Sequence, residues 1–180
     1  AGRHMHRAER DAHFTEFVAQ SSARLLLLAR HLCCDVQAAE DLIQSVLEKA
    51  YLRWGKVCQA DDCYAYVRRM LINLNNDRLR RQPWREVATE IGESRTVLSF
   101  PGGSLPESEL EQLIDRIALR RVLAELTPRE RAVVVLRYLE DLSVDDTAME
   151  LGIKPGTVKS ACNRALARLR VHSAKVREER

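Results

Sequence analysis

Helix breakers are scarce in this chain, and they are bunched. Only seven of its 180 residues are Gly and five are Pro, and half of these stand between residues 82 and 112: Pro83, Gly92, Pro101, Gly102, Gly103 and Pro106. A sheet-rich fold needs a turn every few residues, so long breaker-free stretches on both sides of that segment favour helices. The expected fold is therefore all-α: a helical domain over residues 7–81, a flexible linker over 82–109 and a second helical domain over 110–175. Charge divides the chain the same way. Between residues 82 and 112, Arg85 and Arg95 stand against Glu86, Glu90, Glu93, Glu107, Glu109 and Glu111, whereas both flanks lean basic. The formal net charge of +3 is too small to argue for any partner, so the distribution has to carry that argument.

Apolar periodicity supports the helical reading. Phe14, Phe17, Val18, Leu25, Leu28 and Leu32 recur at helical spacing, so 7–33 reads as one long helix. Asp35 is placed to cap a second helix, which carries Leu42, Ile43, Val46, Leu47 and Trp54 on one face and is expected to stop at Gly55. A polar loop over 56–62 then leads to a third helix from about Cys63 to Arg81. In the second half a helix is expected across Leu110–Leu126. Thr127-Pro128 with Glu130 is a capping-box start for the next, and these flanks outweigh the β-branched run of Val133, Val134 and Val135. Ser143 caps a short helix ending at Gly152, and Pro155 opens a last helix through about Val171.

The junction at Leu151-Gly152-Ile153 is the strongest local signal. Ala148 lets two helices approach, Gly152 supplies a left-handed turn, and Ile153 and Val158 fill the angle between the helices, which is helix-turn-helix patterning. The helix beyond the turn has a polar and basic outer face of Lys154, Thr157, Lys159, Ser160, Asn163, Arg164 and Arg168. Lys and Arg can neutralise phosphates there, and Asn and Arg can read base edges in a major groove. A merely solvated helix face is the plainer alternative.

The segment from Leu126 to Arg170, LTPRERAVVVLRYLEDLSVDDTAMELGIKPGTVKSACNRALARLR, resembles the fourth conserved region of RNA polymerase sigma factors, which grips the −35 promoter element. AAEDLIQSVLEKAYLRW is similar to the second region's polymerase-binding helix, and YAYVRRMLINLNNDRLRR is similar to its −10-reading helix. With only these two regions and a short linker, the chain is identified as a member of the extracytoplasmic-function group. The resemblance implies a promoter-specificity subunit whose partners are core RNA polymerase and promoter DNA, with no catalysis of its own. The breaker-rich, acidic segment 82–112 permits many inter-domain geometries, so the expectation is of two mobile domains that an anti-sigma factor contacting both would close. LTPRE…GTVKS also occurs in response-regulator activators, but such a protein would begin with an α/β receiver, and the first half has no strand pattern. A plain helix-turn-helix repressor would have no need of the AEDLIQ helix.

The resemblance also assigns residues. Glu40, Asp41 and Gln44 would dock onto the polymerase clamp helices, although acidic side chains in a first turn also complement the helix dipole. Arg68, Arg69, Asn73, Asn76, Asp77, Arg78, Arg80 and Arg81 would hold the melted −10 strand, which needs cations for phosphates and polar groups for an unstacked base. Arg80 and Arg81 also suit the C-terminus of any helix. Residues 56–62 resemble the base-capture loop, and Trp54, Tyr64 and Tyr66 are stacking candidates, Trp54 more plausibly core. Ala161-Cys162 stands where the family often has Arg after Lys-Ser, which removes one DNA contact.

No metal or cofactor is expected. His31 with Cys33-Cys34, or Cys58 with Cys63, matches no standard tetrahedral spacing, and the odd count of five cysteines fits reduced thiols. No apolar run is longer than Leu25 to Ala29, far short of the ~20 residues of a membrane span. The charged opening residues have no signal-peptide character, so a cytoplasmic protein without membrane insertion is expected.

Overall fold

The helix caps expected at Asp35, Thr127 and Ser143 are all in place. The computed structural model describes residues 7–81 and 118–178, with side chains described as far as Val171. The linker and the start of the helix expected at Leu110 lie outside the described residues. The first unit comprises α1 (Arg7–Cys33), α2 (Val36–Leu52), the single turn α3 (Trp54–Val57) and α4 (Cys63–Arg81). The second comprises α5 (118–124), α6 (Pro128–Val134), a π-helical turn (Val135–Leu139), α7 (Val144–Leu151) and α8 (Pro155–Glu178). No strand occurs among the described residues, which leaves no place there for an α/β receiver.

Asp35 accepts a 2.6 Å hydrogen bond from the Ala38 N–H, so α2 starts where its sequence says. Thr127 and Glu130 form a reciprocal capping box. Ser143 accepts from the Asp146 N–H at 3.0 Å. Three expectations need correction. α2 ends at Leu52 and not at Gly55, because Arg53 (φ −109°, ψ 15°) leaves the helical region while its N–H still reaches Lys49 and Ala50. The supposed polar loop over 56–62 begins inside α3, and its Val57 is fully buried. The last helix continues beyond Val171 to Glu178.

In the first unit α1 packs on α2, and α2 on α4. Trp54 sits inside this bundle with its ring edge-on to Phe14 at 5.2 Å and close to Phe17 at 5.1 Å, so it belongs to the core and takes no part in stacking on bases. In the second unit Val133, Ala148, Val158 and Ala161 form a small core, with Leu151 and Ile153 packed against it.

Composition suggested two domains free to move until a partner closes them. The structure differs. Leu123, Leu126, Ala132, Val134, Val135 and Ala165 of the second unit join the same apolar cluster as Phe17, Leu25, Val46 and Leu71 of the first. α1 lies against α6 and the π turn, and α4 against α7. The apolar surfaces that meet in this cluster are buried against each other, and such burial is favourable in proportion to the area covered. Arg131 adds a polar latch. Its guanidinium donates to the carbonyls of Leu123, Ala124 and Leu126 at 2.9–3.3 Å and, across the boundary, to that of Leu32 at 3.0 Å. One side chain thereby satisfies the orphan C-terminal carbonyls of α5 and α1 together.

Candidate nucleic-acid interface

The turn between α7 and α8 sets the geometry of the second unit. Gly152 adopts φ 63°, ψ 37°, and Ile153 N–H bonds back to the Ala148 carbonyl at 3.0 Å while Gly152 N–H reaches Met149. That is a Schellman cap, which an L side chain at 152 would strain. Val158 is fully buried and Ile153 partly so, as the helix-turn-helix reading requires.

Beyond the turn, Lys154, Lys159, Ser160, Asn163, Arg164 and Arg168 are exposed and Thr157 is half-buried. Thr157, Ser160, Arg164 and Arg168 follow one another at helical spacing, with Lys159 and Asn163 beside them, so these six share a broad face of α8, and Lys154 stands just before its first residue. Two of its cations are tethered. Buried Glu130 lies 3.4 Å from Arg164 Nε and 3.7 Å from Arg168 Nε. Burial opposes the charged form of this carboxylate. The Thr127 backbone N–H and hydroxyl, with Arg168 and Arg164, outweigh that and hold its pKa below the usual range.

A carboxyl lowered on folding stabilises the protein fully above its unfolded value of about 4.3, and that contribution disappears as the pH falls through the lower folded value. Between about pH 6 and pH 3, the wild type is therefore expected to lose more urea resistance than Glu130→Gln. Equal losses would show that Glu130 is not ionised to advantage.

In the first unit the residues assigned to the −10 strand divide between two faces of α4. Arg69, Asn73 and Arg80 are exposed, with Asn76 half-buried, and their spacing puts them on one outward stripe. Asp77 pairs with Arg80, and Arg78 donates to Asn75 at 3.3 Å. Asp77, Arg78 and Arg81 line a cavity of about 310 Å³ together with Lys49 of α2, a cation the sequence reading missed. Its helical register relative to α4 could not be read without the packing of the two helices.

Arg68 faces the other way. It is buried, 3.5 Å from Glu140 and 3.0 Å from Glu150 of the second unit. Tyr64 also points there, its hydroxyl 3.0 and 3.2 Å from the two Glu140 oxygens. Burial and the Glu140 carboxylate push the Tyr64 hydroxyl far above its ordinary pKa. Tyr66 is half-buried against the core.

On α2, Asp41 and Gln44 are exposed, and Asp41 accepts from Gln37 at 3.1 Å. Glu40 turns aside to Arg30 at 3.8 Å. Gln37 and Glu48 are exposed at the same helical register and extend the polar strip that begins with Asp41 and Gln44, an i, i+4, i+7, i+11 series the sequence already contained.

The cysteines are free and half-buried, and burial pushes the Cys33, Cys34 and Cys58 thiols up. His31 is buried and its pKa is lowered by that burial, the Leu27 backbone partly opposing. Among the described residues no three His, Cys, Asp or Glu side chains are grouped to hold a metal ion, and no helix is long and apolar enough to cross a membrane.

Comparison with known proteins gives the same division. The family model for Sigma-70 region 2 matches residues 17–85, and that for Sigma-70 region 4 matches residues 116–169. The chain is 40% identical over 157 residues to the RNA polymerase sigma-E factor of Streptomyces avermitilis, covering 87% of this chain and 83% of the relative. It is 29% identical to the ECF RNA polymerase sigma factor SigM of Mycobacterium tuberculosis, covering 87% of this chain and 74% of the relative. Among solved structures, the sigma factor RpoE in complex with the anti-sigma factor NepR from Bartonella quintana is similar, with a TM-score of 0.61 and 26% identity over 87% of this chain and 93% of that one. CnrH in complex with the cytosolic domain of CnrY shares the fold at a TM-score of 0.59 and 18% identity, over 90% of this chain and 88% of that one. The chain belongs to the sigma-70 family, as an extracytoplasmic-function RNA polymerase sigma factor.

Proposed function

We propose that this sigma factor docks on core RNA polymerase through Asp41 and Gln44 of α2. It reads the −35 duplex with the outer face of α8 and holds the −10 strand on the Arg69–Asn73–Asn76–Arg80 stripe of α4. The observation that carries this reading is the exposed polar and cationic face of α8 behind the Gly152 turn, with Arg164 and Arg168 steadied by a buried carboxylate. A recognition helix needs side chains that reach base edges from a rigid mount, and phosphate contacts that fix its register. The chain performs no chemistry itself; it redirects polymerase, and it acts in the cytoplasm. Likeness to a chain solved with an anti-sigma factor supports a partner of that kind here, and the reading places it on both units.

The docking face is tested by Asp41→Ala combined with Gln44→Ala. Both side chains are exposed, so stability is expected to change by no more than about 0.5 kcal/mol. Pull-down of core polymerase is expected to fall at least about tenfold, a loss of about 1.4 kcal/mol. Unchanged retention of core by a folded double variant would move the docking surface elsewhere.

A further inference from the structure

At the boundary between the two units, an acidic pair covers a cationic and aromatic site. Arg24 of α1 donates to Glu140 Oε2 at 2.9 Å, and its guanidinium lies over the Tyr64 ring, 4.2 Å from the centroid. Arg68 approaches the same ring at 5.8 Å and holds Glu140 and Glu150 at 3.5 and 3.0 Å. The Glu140 side chain is only 4% exposed, although its two guanidinium partners and the tyrosine all come from the other unit. Its position is built rather than incidental. The π turn closes on Glu140, whose N–H bonds to the Val135 carbonyl at 3.1 Å. The following Asp141 takes φ 53°, and Leu142 N–H returns to Leu136 at 3.0 Å, which turns the Glu140 side chain back onto α4. π turns concentrate at functional positions because they cost backbone regularity.

We propose that Arg24, Tyr64 and Arg68 form a binding site for single-stranded DNA, two cations for phosphates beside a ring for a base, and that Glu140 and Glu150 occupy it in place of phosphates while the units are packed. The proposal rests on α4 being the strand-binding helix and adds to it a self-masked state. A carboxylate that accepts from one guanidinium and a phenol, with a second guanidinium ion-paired to it at 3.5 Å, reproduces the contacts of a backbone phosphate. Arg68, assigned to DNA from sequence, is unreachable in the packed chain. The aromatic ring between cations favours a nucleic acid over an acidic peptide, which needs the charges alone. Binding of DNA and packing of the second unit then exclude each other, and apparent affinity is reduced by the fraction of chain that is open.

The test uses the full-length protein without polymerase. Affinity for a fluorescent single-stranded oligonucleotide is measured for wild type, for Glu140→Gln with Glu150→Gln, and for Glu9→Gln with Glu125→Gln, which makes the same charge change at two exposed positions that take no part in the Arg24–Tyr64–Arg68 cluster. Small-angle scattering follows the packing of the units, and circular dichroism the fold. The boundary pair is expected to raise the radius of gyration and tighten the oligonucleotide about tenfold, with the control pair close to wild type. Adding Arg24→Gln and Arg68→Gln to the boundary variant is expected to erase the gain. Glu140→Asp with Glu150→Asp, which keeps the charge and shortens the reach, is expected to move in the same direction by less and serves if the Gln pair does not fold. The proposal is overturned if the units open without a gain above the control, if neither opens nor binds better, or if the gain survives loss of both arginines. It is equally overturned if an Asp/Glu-rich peptide displaces the oligonucleotide at equal concentration. Transcription supported by the wild type in any of these cases leaves the sigma reading standing and removes only the mask.

Discussion

Leu71→Ala is expected to destabilise both units in one transition. Leu71 is fully buried in the middle of α4 and lies in the apolar cluster that crosses from the first unit into the second. Truncating such a side chain removes its transfer free energy and leaves a cavity, at a cost of about 2–5 kcal/mol. For a chain of this size that is a fall in Tm on the order of 10 °C. Units folding independently would show a shifted first transition beside an unshifted second. A shared core shifts one cooperative transition as a whole, and calorimetry distinguishes the two. Two separate transitions, only one of them moved, would contradict the shared core and with it the packed state.

The second large effect is on DNA. Lys159 and Arg164 are exposed on α8 with no structural duty beyond Arg164's 3.4 Å contact to Glu130. Losing a base-reading Arg is expected to cost about 1–3 kcal/mol, and losing a phosphate-binding Lys to lower the salt slope by about 1. The double Ala variant is therefore expected to bind −35 duplex on the order of a hundredfold more weakly, with a flatter dependence of log K on log salt. Titrations at several salt concentrations check both quantities. Wild-type affinity and slope would remove these two residues from the interface.

Local chemistry made most of the fold legible. Asp35, the Thr127–Glu130 box, Ser143 and Gly152 act through neighbours three to five residues away, so their pattern carries the structure directly. The end of α2 was misplaced because Gly55 suggested a stop. The chain breaks at Arg53 instead, and burial of Trp54 and Val57 carries the next turn onward. Cys34 ends α1 in the left-handed region at φ 54°, a conformation its residue type does not advertise. The polar faces of α2 and α8 were readable from helical period alone. The fate of Arg68 was not. Its partners are 72 and 82 residues away in sequence, at Glu140 and Glu150, and nothing local distinguishes it from the exposed Arg69 beside it.

The central claim is that this chain gives polymerase a promoter choice it otherwise lacks. The direct measurement is in vitro transcription of genomic fragments by purified core enzyme with and without the protein, with the 5′ ends of all transcripts mapped. The expected result is a set of start sites absent with core alone, sharing one −35 and one −10 sequence at fixed spacing and lost with the Lys159→Ala, Arg164→Ala variant. No new start sites from a protein that still binds duplex DNA would contradict it, and would leave a helix-turn-helix regulator that never joins polymerase.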